Sequence, residues 1–219
     1  AAFVASWTSY TLGLEKFTQV ISDKLSLSPH VFLQLLVLGV IFGLTGKLFA
    51  YLLGQLKTSF AKTFSNPYVR IGVVGLSLSI LLYLIGTGRY TGLGTNLISQ
   101  SFEGADSKSL ITGADWILKL LFTVTTIAAG YKGGEVTPLF SIGASLGVWL
   151  APFFGLPVYL VAALGYAAVF AGATSTTIGP ILIGCEVFGF QHWPAFLLVC
   201  LVATRLFPAL SIYGGQKVA

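Results

Sequence analysis

The stretch Gly133-Gly134-Glu135-Val136-Thr137-Pro138, running on through Leu139-Phe140-Ser141-Ile142-Gly143-Ala144, decides how this chain is read. The paired glycines permit sharp backbone turns, Thr137 suits a helix N-cap, Pro138 suits the first helical position, and an apolar run to Leu150 follows directly. The pattern predicts a helix that starts at or near the depth of a lipid bilayer. Such a start aims unpaired N–H groups and the positive end of the helix dipole at whatever lies ahead of it, which in a dry site favours an anion. Glu135 stands at that point. An ionisable side chain amid apolar segments is costly, so it marks a functional candidate. As a carboxylate it can compete with a substrate anion for the helix end; as a neutral acid it can carry a proton. The residues alone leave an interfacial capping carboxylate as an equal reading.

Composition supports the membrane setting. Of 219 residues, 55% are hydrophobic and 9% charged, against about a quarter charged in soluble domains. A span needs roughly 20 apolar residues, so the chain has room for about six to eight spans and for no separate soluble domain. The net charge of +5 does not point to nucleic acid, because the basic residues are scattered at the edges of apolar segments, as with Lys57, Lys62 and Arg70. Cys185 and Cys200 lie in apolar stretches without a partner His or acidic cluster, which indicates core packing and neither a disulfide framework nor a metal site. No cofactor is indicated. The chain contains no methionine and opens without a charged region or cleavage pattern, so it reads as a fragment of something longer and not as starting with a signal peptide.

Residues 1–14 form a short apolar segment, followed by a loop with Glu15, Lys16, Asp23 and Lys24. Residues 30–56 form a long span whose only charge is Lys47, and Gly39 and Gly43 in it are spaced to admit another helix closely. Asn66-Pro67 marks a boundary before a span at 69–85. Residues 86–94 are too glycine-rich for a regular helix, and they match neither GxGxxG nor GxxxxGK[ST], so nucleotide binding is not the reading. A polar stretch with Glu103, Asp106 and Lys108 leads to a helix at 114–129, where Asp115 and Lys119 are spaced as an interfacial i, i+4 pair. Apolar runs at 137–150, 157–170, 177–188 and 194–207 are separated by Pro152, Pro157, Gly172, Pro180, Gly189 and Pro194. Broken helices at membrane depth are tolerated only where they are buried in protein or line a polar cavity, which points to a transporter or channel core.

Residues 133–144 resemble the signature of the helix lettered N in CLC anion channels and transporters, and Glu135 in it resembles the fluoride-transporting clade. The chain is similar throughout to the C-terminal half of that family, helices I to R: Leu38-Gly39-Val40-Ile41-Phe42-Gly43 to helix J, residues 66–94 to helix K and its exit, and Gly165, Ala171-Gly172-Ala173, Pro180 and Glu186 to helices O, P and the start of Q. Leu210-Ser211-Ile212-Tyr213-Gly214 falls where the family places its pore tyrosine.

The resemblance implies an all-α membrane protein with tilted, broken and re-entrant helices, residues 1–219 being one transmembrane domain, the C-terminal inverted-repeat half. It implies a multi-pass fluoride/proton antiporter of the cell (inner) membrane. Glu135 would act in the proton pathway, and Gly134, Val136, Thr137 and Tyr213 would contact the anion. It further implies fluoride, protons and lipid as partners, a homodimer joined through residues 1–14 and 177–207, and an N-terminal half not in this chain, without which no transport is expected. Glu186 reads as a helix-end or packing residue, Arg205 as pairing with a carbonyl or lipid headgroup near a helix end, and His192 as a loop or interface residue. The alternative function is a chloride-type CLC channel or chloride/proton exchanger. An intramembrane enzyme using Glu135 with His30 or His192 lacks a nucleophile or metal-ligand constellation.

Overall fold

The structure is a computed structural model that describes residues 2–13, 17–21, 28–103 and 111–213. Glu15, Lys16, Asp23, Lys24, Asp106, Lys108 and Gly214 lie outside the described residues.

The helices begin where the chain supplies their caps. After α1 (Ala2–Thr11), α2 (Pro29–Thr63) opens with Ser28, whose hydroxyl accepts from the Val31 N–H at 3.3 Å, and with Pro29 in its first turn. The Asn66 side chain accepts from the Tyr68 N–H at 2.9 Å to start α3 (Pro67–Leu84), again with a proline next. There follow α4 (Thr95–Phe102), α5 (Asp115–Ala129), α6 (Val136–Phe154), α7 (Val158–Thr174), α8 (Ile178–Phe188) and, after a 3₁₀ turn at Phe190–His192, α9 (Trp193–Arg205). No strand occurs among the described residues.

Helix α7 is the centre. It packs against α6, α2, α9 and α8, and most of its side chains are fully buried. Small residues make this approach feasible: Gly143 of α6 faces the Gly165 carbonyl of α7, and Gly46 of α2 faces the Val169 carbonyl. The Gly39 and Gly43 spacing does admit a helix, α9, since a Cβ at either position would stand 2.8 Å from Val202 Cβ or 2.7 Å from Ala203 Cα. The outward surface is apolar as well. On α2, Leu35, Leu38, Phe42, Phe49 and Leu53 face the core while Val37, Val40, Leu44, Leu48 and Tyr51 are exposed, so both faces are apolar. This is a chain that removes its inner face from lipid by shape rather than by hydrophobicity.

Among the described residues three helices, α2, α3 and α6, are long and apolar enough to cross a membrane. This is fewer than the six to eight for which the length has room. Helices α7 and α8 are apolar but have 17 and 11 residues, because the chain turns at Gly155, Ser175 and Gly189. Pro152 does not break its helix as the sequence suggested. It lies two residues before the end of α6, where the lost N–H removes one bond and Gly155, in the left-handed region, stops the helix.

Candidate functional site

Helix α5 ends at Gly130, whose φ of 110° a side chain would oppose, and the chain then runs without regular structure until Glu135. The helix starts earlier than the Thr137-Pro138 pattern predicts. Glu135 is the N-cap, already helical at φ −88° and ψ −24°, and Val136, Thr137 and Pro138 fill the first turn. A proline fits anywhere in that turn because its N–H would have no partner there. The first helical hydrogen bond runs from the Leu139 N–H to the Glu135 carbonyl at 3.2 Å. The N–H groups ahead of Pro138, on Val136 and Thr137, are the orphan donors of a helix start.

The Glu135 side chain does not cap its own helix, which removes the capping reading. It is half-buried and lines a polar cavity of about 320 Å³ with Lys57, Arg70 and Lys132. Arg70 is held there by donation from Nε to the Ala129 carbonyl at 2.8 Å, a cation on the last turn of α5. Gly133 also lines this cavity, and Gly133, Gly134 and Pro138 line a second of about 290 Å³ with Tyr90, Gly92, Lys119 and Thr123. The turn ahead of α6 thus stands between two cavities, each with cationic side chains.

The second cavity rests on a network that the sequence does not reveal. Asp115 and Lys119 are both 1% exposed and do not form the expected i, i+4 interfacial pair. Both turn to the glycine-rich loop 86–94. Asp115 takes Arg89 bidentately, Nε at 2.8 Å and Nη2 at 3.1 Å, with the Tyr90 hydroxyl at 2.8 Å and the Thr112 N–H at 2.6 Å. A planar guanidinium matches a carboxylate better than an ammonium does. Lys119 instead donates to the Tyr90 and Gly92 carbonyls at 3.1 and 2.7 Å. In this loop, burial and then the bond to Asp115 push the Tyr90 hydroxyl up to about 12, so it is a neutral donor.

Val136 and Thr137 are half-buried at the helix start and Gly134 is open to the cavity. Tyr213 is not brought to this place: it is 42% exposed, lines neither cavity and belongs to a segment tied to the end of α7. His192 ends the 3₁₀ turn between α8 and α9, a connecting position as expected, and its side chain is buried; Cys185 and Cys200 are buried and free. Glu186 is exposed near the end of α8, and Arg205 is the exposed last residue of α9.

Helices long and apolar enough to cross a bilayer, one of them starting with a carboxylate beside open N–H groups, are those of a multi-pass membrane protein. The sequence profile of the voltage gated chloride channel family matches residues 1–207, and the chain belongs to this family, the CLC proteins. It is 33% identical, over its whole length and 48% of the relative's, to a chloride/fluoride channel protein of Pseudomonas syringae pv. tomato. It is 28% identical, over 97% of its length and 53% of the relative's, to the voltage-gated ClC-type chloride channel ClcB of Salmonella typhimurium. A crystal structure of a CLC-type fluoride/proton antiporter superposes on the whole chain with a TM-score of 0.95 at 54% identity, over 54% of that protein. The chain spans about half the length of these relatives, and its fold is that of the CLC family.

Proposed function

We propose that this chain supplies one wall of a fluoride export pathway that runs by fluoride/proton antiport across the inner membrane. The observation that carries the reading is the start of α6, where the Glu135 carboxyl stands beside orphan N–H donors without capping them. Fluoride is small and strongly hydrated, so a site for it must replace water with fixed donors, and the Val136 and Thr137 N–H groups and the Thr137 hydroxyl are such donors. Glu135, reached from the cavity with Lys57, Arg70 and Lys132, takes the proton. Gly134 leaves the approach clear. The aromatic hydroxyl of Tyr213 is assigned to the path on the family resemblance. The relatives' names support the substrate, the 54% identical neighbour being a fluoride/proton antiporter.

The opposite wall comes from the rest of a protein of the relatives' length. The assembly is a homodimer joined through α1, α8 and α9, whose outer side chains Trp7, Ile178, Leu182 and Trp193 are exposed and apolar. A chloride-type exchanger is the second reading, favoured by the likeness to ClcB. Efflux from proteoliposomes of the full-length parent separates the two. Fluoride efflux that drives proton uptake, with chloride slower by about tenfold or more, fits fluoride antiport. Chloride efflux at the fluoride rate selects the second reading.

A further inference from the structure

Lys47 lies in mid α2, 3% exposed. A buried ammonium normally keeps a carboxylate, because desolvation is otherwise uncompensated. Here the Nζ donates to the Ser175 hydroxyl at 2.6 Å and to the Leu210 carbonyl at 2.7 Å, neither of them an acid.

Both acceptors are special places in the chain. Ser175 is the C-cap of α7, in the left-handed region at φ 55°. The carbonyl end of a helix carries the negative end of its dipole, which offsets part of the cost of a cation. The Ser175 oxygen also lies 3.2 Å from the Pro208 and Leu210 carbonyls, so accepting from Lys47 leaves its proton for one of them. Leu210 belongs to the irregular segment after α9. That segment continues as a ladder along the end of α7: Ser211 donates from its hydroxyl to the Thr174 carbonyl at 3.1 Å, the Ile212 N–H to the Ala173 carbonyl at 3.0 Å, and the Tyr213 N–H to the Ser211 hydroxyl at 3.2 Å. Lys47 is therefore the point at which α2, the end of α7 and the tyrosine segment are joined.

Stability alone does not call for a lysine there. Replacing a buried charge with a well-packed apolar side chain is often neutral or favourable, whereas an ammonium with two fixed acceptors specifies one geometry. We propose that Lys47 is a positioning residue for Tyr213: it clamps Leu210 to the C-cap of α7 and so fixes where the tyrosine stands. The inference rests on the reading of Tyr213 as an anion contact.

The test is fluoride efflux from proteoliposomes of the full-length parent carrying Lys47→Met, Lys47→Arg, Ser175→Ala, Tyr213→Ala or Lys47→Met with Tyr213→Ala. Misplacing a contact by about 1 Å costs up to about a hundredfold in rate, so Lys47→Met should slow turnover by about tenfold or more. Lys47→Arg, which keeps the charge and the reach, should recover most of the rate. In the Tyr213→Ala background, Lys47→Met should cost less than about twofold, because its effect passes through the tyrosine. Should Lys47→Met fail to fold, Ser175→Ala makes the same comparison, with a loss of about threefold alone and less than about twofold without Tyr213. A wild-type rate for Lys47→Met, or its full loss repeated without Tyr213, overturns the proposal. A wild-type rate for Tyr213→Ala overturns it differently, by removing the tyrosine from the path while leaving fluoride transport through Glu135 standing.

Discussion

Asp115→Asn is a severe test of the loop that walls the cavity beside Gly134. The substitution preserves volume but removes the charge and one of two oxygens. Asp115 is 1% exposed and receives Arg89 Nε and Nη2, the Tyr90 hydroxyl, and the Thr112 N–H and hydroxyl, at distances between 2.6 and 3.1 Å. A hydrogen bond to a charged group contributes about 1.5–3 kcal/mol, and breaking a buried pair costs about 3–5 kcal/mol. The Arg89 side chain is 26% exposed, so water takes over part of its charge. The net expectation is about 2–4 kcal/mol for Asp115→Asn. Arg89→Ala should cost about as much, about 2–4 kcal/mol, because it leaves a 1% exposed carboxylate without its cation, although Tyr90 and Thr112 still donate to it. Unfolding of the full-length protein in detergent, followed by near-ultraviolet circular dichroism against denaturant, measures both. A loss below about 0.5 kcal/mol for either variant would refute this reading of the loop.

Other expectations follow from the helix contacts. Gly143→Ala would place a Cβ 2.5 Å from the Gly165 carbonyl carbon and 2.9 Å from the Tyr166 nitrogen, so overpacking of about 1–3 kcal/mol should exceed the gain in helix propensity of about 1 kcal/mol. In contrast Gly54, exposed in the C-terminal half of α2, has nothing within 4 Å of an added Cβ, and Gly54→Ala should raise the unfolding midpoint. Gly94→Ala should destabilise by more than its backbone strain alone, since φ is 82° and Lys119 Cε and Ser141 Oγ stand 2.7 and 2.6 Å from the new atom. Because Cys185 and Cys200 are buried, a maleimide should label neither until the protein is denatured, which mass spectrometry reads directly.

Much of the fold was legible because lipid imposes simple rules. The apolar run after Asn66-Pro67 became α3 nearly as predicted because that cap acts locally, while the run at 30–56 became α2, which continues to Thr63. The start of α6 was legible to within two residues, the error arising because a first-turn proline is compatible with several registers. What could not be read were contacts between distant segments. Lys47 was conspicuous as the only charge in its span, but its acceptors lie 128 and 163 residues away. Asp115 and Lys119 were a sound helical pair by spacing, yet a loop 25 to 29 residues earlier offered an arginine and two carbonyls in better geometry. Glycine spacing in α2 gave a true signal of close approach without naming the partner, which proved to be α9 at Gly39 and Gly43 and α7 at Gly46.

In the proposed pathway Glu135 couples protons to fluoride at the start of α6. Its most direct test is fluoride efflux with simultaneous pH recording from proteoliposomes of the full-length parent, wild type against Glu135→Gln. The glutamine keeps the shape and cannot carry the proton. Loss of proton uptake, with fluoride efflux slowed by about tenfold or more, is the result predicted. Proton-coupled efflux at the wild-type rate in Glu135→Gln would contradict it.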